Sequence, residues 1–211
     1  GGTFENNYSA GNGGVVFFNQ GGDAVNLTLT NGVFRNNRAA QDGGALFCGN
    51  LAKVSGCTFE NNTAGRNGGA VWINKEGISL TSNTFTDNTA VNGGAVWSGN
   101  AVTTSSDKFI GNSAEKGDAI YINGSRQLTI GNVDTIQDIY LQTLVPVKLT
   151  GMSYDNKHLS IITGSEITND MKIAYAQYAP PVDIRVNGYK AEYIRDEDGN
   201  LVGETKGYPM K

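Results

Sequence analysis

The chain has 211 residues and a formal net charge of −4, which argues against a nucleic-acid-binding protein because phosphate binding needs a basic surface. No apolar run reaches the length of a transmembrane helix, and 4 prolines are too few for a collagen-like or proline-rich chain. The 29 glycines and 24 asparagines, with only 17% charged residues, instead indicate many tight turns.

A Phe-x-x-Asn motif occurs five times in the first half of the chain, with its Phe residues 30, 25, 26 and 24 positions apart. Each motif is followed by a glycine pair and an apolar run, such as Gly43-Gly44-Ala45-Leu46. A third segment with alternating apolar positions, such as Leu27 and Leu29, completes each unit. These units predict short strands separated by Gly/Asn turns, repeated about every 25 residues.

The repeat predicts an all-β fold, a parallel β-helix in which each unit makes one turn. No 3.6-residue apolar period runs through any unit, which excludes the helical repeat folds. The pattern of leucine-rich repeats is also missing. We therefore expect residues 1–130 to form five motif-bearing turns.

Stacked turns bring equivalent residues into register about 4.8 Å apart, which predicts two internal columns. One is a phenylalanine stack of Phe4, Phe34, Phe59, Phe85 and Phe109. The other is an asparagine ladder of Asn7, Asn37, Asn62, Asn88 and Asn112. Asn also tolerates the left-handed conformation that a sharp corner demands, and the glycine pair supplies a positive φ at the entry to the next strand.

The combination of Phe-x-x-Asn with Gly-Gly-Ala-(Ile/Leu/Val) resembles the repeats of the chlamydial polymorphic outer-membrane proteins and of related adhesin-like surface proteins. The resemblance covers residues 1 to about 122 and departs from the pattern at Val15 in the first copy and at Asp118 in the fifth. It implies a right-handed β-helical passenger, extracellular and displayed on the cell surface, with a role in adhesion.

An outward-facing row is predicted on the strand after each glycine pair. If the β-branched residues there point inward, the neighbouring positions on each strand point outward. These positions hold five aromatic side chains: Phe17, Phe47, Trp72, Trp97 and Tyr121. An exposed apolar strip of this kind marks an interaction site for sugar rings or a partner protein. Alternatively, a loop, a neighbouring domain or a preceding segment covers the row, or the aromatic residues lie inside.

Catalysis is not expected, because glycoside hydrolysis needs two carboxylates across one sugar and no acidic residue recurs at an equivalent position of successive units. No catalytic residue, metal site or cofactor is predicted. The two cysteines, Cys48 and Cys57, are either buried thiols, with Cys48 pointing inward, or a disulfide.

Residues 131–211 lack the motifs but contain apolar segments that predict strands. We expect one or two irregular last turns and a hairpin of residues 191–195 and 201–205 around 196–200, which acts either as a C-terminal β cap or as the start of a following domain. Gly1 lies in the middle of a repeat, so we expect further turns before it or an edge that pairs with another chain.

The sequence therefore predicts a segment of a cell-surface adhesin or adhesin-like passenger or stalk. Its expected partner is a protein or glycan on a host or community surface, bound without catalysis. The alternatives are a carbohydrate-binding β-helix that uses the outer aromatic row and, with less support, a polysaccharide-degrading enzyme.

Overall fold

The computed structural model is all-β in the part of the chain that it describes, which comprises residues 1–19, 27–49, 52–74, 78–132, 138–145, 147–150, 157–165, 174–176, 182–187, 189–190, 194–195 and 201–202. Short strands follow one another around a coil and pair in parallel with the strands of the next coil. The predicted parallel β-helix is confirmed.

The strands repeat in the same order from coil to coil. The first coil holds β1 (Thr3–Glu5), β2 (Tyr8–Ser9), β3 (Val16–Phe18) and β4 (Leu27–Thr30). The second holds β5 (Val33–Arg35), β6 (Arg38–Ala39), β7 (Leu46–Cys48) and β8 (Ala52–Ser55). The third holds β9 (Thr58–Glu60), β10 (Thr63–Ala64), β11 (Val71–Ile73) and β12 (Ile78–Thr81).

The later coils continue this order with fewer strands. The fourth holds β13 (Thr84–Thr86), β14 (Val96–Ser98) and β15 (Val102–Ser105), and the fifth holds β16 (Lys108–Ile110), β17 (Ile120–Ile122) and β18 (Leu128–Ile130). Beyond them lie β19 (Ile139–Leu141), β20 (Val147–Leu149), β21 (Lys157–Thr163), β22 (Ala174–Ala176), β23 (Val182–Val186), β24 (Tyr189–Lys190), β25 (Ile194–Arg195) and β26 (Leu201–Val202).

Equivalent strands build four parallel sheets along the axis of the solenoid. Sheet I contains β1, β5, β9, β13 and β16, and sheet II contains β2, β6 and β10. Sheet III runs through β3, β7, β11, β14, β17, β19, β21 and β23, and sheet IV through β4, β8, β12, β15, β18, β20 and β22. The repeat sets the register, so that Phe34 pairs with Phe59 and Leu46 with Val71.

The core lies between the sheets and is filled by the side chains that point inward from alternate positions of each strand. In sheet III these residues include Leu46, Val71, Val96 and Ile120, each 0% exposed. Sheet I contributes four buried rings from its Phe motifs, and sheet IV contributes Leu80 and Leu128. Because each coil buries its inward face against the next one, the repeated apolar pattern stabilises the fold through contacts between neighbouring turns.

The glycine pair is needed for two separate reasons. Gly43 has a φ of 68°, a left-handed conformation that side chains rarely adopt, at the entry to the strand. Gly44 has no such φ, but a Cβ there would collide with the carbonyl oxygen of Gly69 in the next coil. The first glycine therefore allows the turn, and the second allows the coils to stack closely.

Parallel pairing continues past residue 130, where the motifs end. Ile120 pairs with Ile139, which pairs with Ile161. Strand β24 adds to β23 in the antiparallel direction, and β25 pairs with β26 within the predicted hairpin region. The predicted loop 196–200 lies outside the described residues, and the capping role of this region stays a prediction. Among the described residues, no helix is long and apolar enough to cross a membrane.

Candidate functional site

The phenylalanine stack lies inside the solenoid along sheet I. Phe34, Phe59 and Phe85 follow one another with ring centroids 4.9 and 5.0 Å apart and interplanar angles of 9° and 6°. The rings of Phe34, Phe59, Phe85 and Phe109 are buried, whereas Phe4 in the first coil is 41% exposed. The column serves the core and is not accessible to a ligand in the repeated coils.

The asparagine ladder forms hydrogen bonds with the backbone at the corner that follows sheet I. The Nδ2 atom of Asn62 donates to Asn88 Oδ1 at 2.9 Å and to the Phe34 carbonyl oxygen at 2.9 Å. Its Oδ1 atom accepts from the backbone N–H and the Nδ2 atom of Asn37 at 3.1 and 3.0 Å. The same bonds link the other members: Asn7, Asn37, Asn88 and Asn112. The ladder therefore provides hydrogen-bond partners for buried backbone N–H and C=O groups at the corner, where the chain leaves the sheet.

The left-handed backbone expected of these asparagines belongs instead to the residue before each of them. Positive φ angles occur at Asn6, Asn36, Asn61, Asp87 and Gly111. The ladder side chain must point inward to reach the next coil, whereas the turn residue before it is exposed in the second, third and fourth coils. In each Asn-Asn pair, the first residue therefore makes the turn and the second forms the ladder.

A second ladder, not expected from the sequence, runs through the corner before sheet I. The Asn83 Oδ1 atom accepts from the N–H of Cys57 at 2.9 Å, and Asp107 Oδ1 accepts from the N–H of Asn83 at 2.7 Å. Its members are Cys57, Asn83 and Asp107. Because three different residue types occupy one position, no repeated letter marks this ladder in the sequence.

Asp107 is fully buried and accepts four hydrogen bonds. Its Oδ1 atom accepts from the N–H and Nδ2 groups of Asn83, and its Oδ2 atom accepts from Thr104 Oγ1 at 2.6 Å and from the N–H of Ser105 at 3.1 Å. Burial raises the pKa of Asp107, opposed by these hydrogen bonds, which lower it. The group is part of the folded scaffold.

Both cysteines are buried thiols and are not joined to each other, so the disulfide alternative is wrong. Cys48 is 0% exposed on the inward side of β7, and the Cys57 Sγ atom accepts a hydrogen bond from the N–H of Gly32 at 3.4 Å. Burial raises the pKa of the Cys57 thiol. The buried thiols behave as small core residues.

The outer aromatic row forms a continuous stack along sheet III. Phe17, Phe47, Trp72, Trp97 and Tyr121 are neighbours in register. Their successive ring centroids are 4.9, 4.0, 5.1 and 6.4 Å apart, and the interplanar angles are between 3° and 13°. The sheet thus brings together all five residues that the sequence proposed as a binding row.

The rings of this row differ in exposure. Phe17 is 57% exposed, whereas Phe47 and Tyr121 are 6% and 7% exposed. Trp72 and Trp97 between them are half-buried. Because each inner ring is covered on both faces by its neighbours, the exposed part of Trp72 and Trp97 is their ring edges. A sugar ring could lie flat only on a terminal ring, so the predicted sugar platform would have to work through edges.

The row extends further than the sequence indicated. Tyr140 stacks on Tyr121 with centroids 5.0 Å apart, and Ile162 pairs with Tyr140 in the next coil and is 38% exposed. The triplet Ile139-Tyr140-Leu141 repeats the pattern of Ile120-Tyr121-Ile122, which is the signal that could have identified it. The whole column is named the outer ridge: Phe17, Phe47, Trp72, Trp97, Tyr121, Tyr140 and Ile162.

Amide side chains flank the ridge on the turns after the strands of sheet III. Asn100 Nδ2 donates to the Asn74 carbonyl oxygen at 2.7 Å. Gly99 lies beside the ring of Trp97, where a Cβ would be 3.2 Å from Cη2. Asn74 is exposed and Asn100 is half-buried. Polar groups therefore lie next to the two tryptophans.

The turns before these strands carry a second polar column. Asn92 Nδ2 donates to Asn67 Oδ1 at 2.9 Å, and Asn67 Nδ2 donates to Asp42 Oδ1 at 2.8 Å. Asp42 also forms an ion pair with Arg66 at 2.8 Å. At the far end, Lys116 Nζ lies 5.4 Å from the ring centroid of Tyr140. Asp42 is thus neutralised by Arg66, and the turn of Lys116 also carries the acidic residues Glu115 and Asp118.

Several described acidic residues have structural partners. Arg35 lies between Glu5 and Glu60 on the outside of sheet I, at 3.2 and 2.8 Å. The hydrogen bond to Glu60 is the main cause that raises the pKa of Arg35. Among the described residues, no group of three or more His, Cys, Asp or Glu side chains could hold a metal ion. These acidic residues therefore belong to the scaffold and its outer surface.

Three segments match a family model described as the Chlamydia polymorphic membrane protein repeat, at residues 31–53, 56–74 and 84–99. The chain carries repeats of the polymorphic membrane protein type. The matched segments lie in the second, third and fourth coils, and the two copies that depart from Gly-Gly-Ala fall outside them. No curated protein and no solved structure matches the chain.

Proposed function

We propose that the chain is a segment of a surface-displayed β-helical passenger that attaches to host or community surfaces without catalysis. The observation that carries this proposal is the coincidence of the polymorphic membrane protein repeats with successive coils of one parallel solenoid. In that family the repeats belong to membrane proteins, and the fold alone does not determine activity.

The architecture supports attachment because it separates the scaffold from the surface. The two ladders and the phenylalanine stack hold each coil on the next, so outward residues can vary without loss of the core. Side chains on the outside are therefore free to form a contact surface along the axis. The outer ridge is one such feature, a continuous row of mainly aromatic side chains along sheet III.

Adhesion of coated beads tests the proposal directly. Fluorescent beads carrying the purified chain are expected to adhere to epithelial monolayers or to bacterial biofilms, and an excess of soluble folded chain should displace them. The heat-denatured chain serves as the control competitor and should not displace the beads. Beads that adhere to none of these surfaces more than albumin-coated beads would contradict the proposal.

Display on the cell surface has its own test. On intact cells that produce the native protein, an antibody against the chain should bind without permeabilisation, and added protease should remove the signal. A cytosolic marker protein provides the control for cell integrity. Binding that requires permeabilisation would contradict surface display.

The absence of catalysis is part of the proposal. Incubation of the chain with a panel of soluble and insoluble polysaccharides should release no reducing sugar above the buffer control. Release of product that depends on a described carboxylate, such as Glu60 or Asp87, would favour the polysaccharide-degrading alternative.

A further inference from the structure

We propose that the outer ridge binds a single strand of a neutral polysaccharide that lies parallel to the solenoid axis. This inference rests on the attachment function proposed above, and it identifies the class of ligand. The structural basis is the continuous row of side chains from Phe17 to Ile162 on sheet III, together with the amide groups beside it.

The shape of the ridge favours a long, narrow ligand. Seven side chains in register span about 29 Å, since neighbouring strands are about 4.8 Å apart. The ridge is one side chain wide, and Phe47 and Tyr121 expose only a small part of their surface. A stable protein complex buries about 800 Å² on each partner, far more than such a line of edges offers, so a second copy of the chain is a poor match.

The chemistry of the ridge favours oxygen-rich groups. Its rings cover one another's faces and present their edges, which carry the positive end of the aromatic quadrupole. The indole N–H groups of Trp72 and Trp97 are donors, and Asn74 beside them adds an exposed amide that can donate and accept. Hydroxyl and ring oxygens of a sugar chain match this pattern of weak and strong donors.

The charge around the ridge favours a neutral ligand. On the turns before the strands, Asp42 pairs with Arg66, and the turn of Lys116 also carries Glu115 and Asp118, so these turns have no excess of positive charge. The chain as a whole carries a net charge of −4, which repels acidic polysaccharides at long range. A neutral polymer pays no such electrostatic penalty.

Tryptophan fluorescence gives a direct test, because both tryptophans of the chain lie in the ridge. The full chain is titrated with neutral hexaoses of cellulose, xylan, mannan and β-1,3-glucan, with the corresponding disaccharides, and with a galacturonic acid hexamer. At least one neutral hexaose should change the emission saturably, with its disaccharide about tenfold weaker or more because it makes fewer contacts. No response to any neutral hexaose, equal affinity for hexaose and disaccharide, or a response to the acidic hexamer alone would overturn the inference.

Two variants localise the binding, followed by calorimetry or pull-down. The double variant Trp72→Phe/Trp97→Phe keeps a stack of rings like that between Phe17 and Phe47 but lacks the indole donors, and it should bind the hexaose about tenfold more weakly. The control Thr103→Ala lies on the outer face of sheet IV and should bind like the wild type. Thermal unfolding of both variants verifies the fold. A double variant that is folded and binds the hexaose like the wild type overturns the inference.

The bead assay separates this inference from the proposed function. If wild-type beads adhere and beads with the folded double variant adhere equally well, the ridge inference fails while attachment stands. If adhesion requires the tryptophans but no neutral glycan binds, the ligand of the ridge is a protein and the inference also fails. If wild-type beads adhere to no surface, the attachment proposal fails, and the titration still decides whether the ridge binds glycan.

Discussion

The phenylalanine stack and the outer ridge are two aromatic columns of one solenoid with almost the same geometry and opposite surroundings. Centroid distances are 4.9 to 5.1 Å inside and 4.0 to 6.4 Å outside, with nearly parallel rings in both. Stacking therefore follows from the coil repeat and does not require burial. What differs is the residue: Phe recurs at every inner position, whereas the outer column contains Phe, Trp and Tyr.

The difference follows from packing density. An interior position has a fixed volume between neighbouring coils, and a larger or smaller ring there would strain the core or leave a cavity. The outer column has free space on the solvent side, so ring size can change from Phe47 to Trp72 without a rearrangement of the sheet. The inner phenylalanine column is therefore the same from coil to coil within this chain, and the outer column is free to vary.

The largest expected effect distinguishes the two columns directly. Phe59→Ala should lower the free energy of unfolding by about 3–5 kcal/mol, because the ring is 0% exposed and its removal leaves a cavity. Trp72→Ala in the outer ridge should cost only about 1–2 kcal/mol, since the ring is half-buried and water can fill its place. Urea unfolding followed by circular dichroism measures both. Equal losses would show that the columns are energetically equivalent.

The asparagine ladder allows a comparison between adjacent residues of the same type. Asn62→Ala should cost about 3 kcal/mol, because it leaves several buried partners unsatisfied at roughly 1–3 kcal/mol each. Asn61→Gly should change stability by less than about 0.5 kcal/mol, because the position has a φ of 53° that glycine adopts freely. Gly111 already occupies the equivalent place in the fifth coil. Thermal unfolding of both variants checks this, and a larger loss at Asn61 would contradict the division of tasks within the pair.

Asp107 and Asp87 provide a buried and an exposed carboxyl group for comparison. Asp107→Asn should lower the free energy of unfolding by about 1–3 kcal/mol. Each of the two carboxylate oxygens accepts two hydrogen bonds, and the asparagine amide has only one oxygen to accept them. Asp87→Asn, at an exposed turn where three other coils have Asn, should be nearly neutral.

The buried carboxyl group of Asp107 also makes the free energy of unfolding depend on pH. Because burial raises the pKa of Asp107 above its ordinary value of 3.8, the folded state binds its proton more tightly than the unfolded state. The stabilisation that this bound proton gives is complete at pH values below 3.8. It decreases as the pH rises through the raised pKa of Asp107 in the folded state. The deficit of Asp107→Asn relative to the wild type should therefore grow as the pH is lowered through this window. A deficit that is constant between neutral and acidic pH would refute the assignment.

The smallest effect is expected on the outside of sheet I. Arg35→Ala removes the two ion pairs with Glu5 and Glu60, whose side chains are 41% and 35% exposed. Exposed pairs contribute little to stability, so the melting temperature should fall only slightly at low salt. The difference from the wild type should disappear near 1 M NaCl, where the Debye length is about 3 Å. A large and salt-independent loss would indicate that this column supports the fold as the ladders do.

Repetition made the fold predictable from the sequence. Five copies of Phe-x-x-Asn and four of the glycine pair determined the coil length, the register of the sheets and the position of the two regular columns. The second ladder could not be predicted, because Cys57, Asn83 and Asp107 share a position but no residue type. Tyr140 and Ile162 were missed because the coil spacing changes after residue 130 and neither Phe-x-x-Asn nor the glycine pair recurs there, which leaves the triplet Ile139-Tyr140-Leu141 as the signal for Tyr140.

The sequence by itself determined that this chain coils, which residues recur on each coil and which aromatic side chains share the outer column. Only the tertiary structure decided that the left-handed turn lies at Asn61, the residue before the predicted ladder residue Asn62. It alone decided that Phe47 and Tyr121 are covered while Phe17 is open, and that Trp72 and Trp97 are half-buried. The physical reason is that spacing fixes which residues are neighbours, whereas exposure and backbone conformation depend on the shapes of the neighbours and on the turns around them.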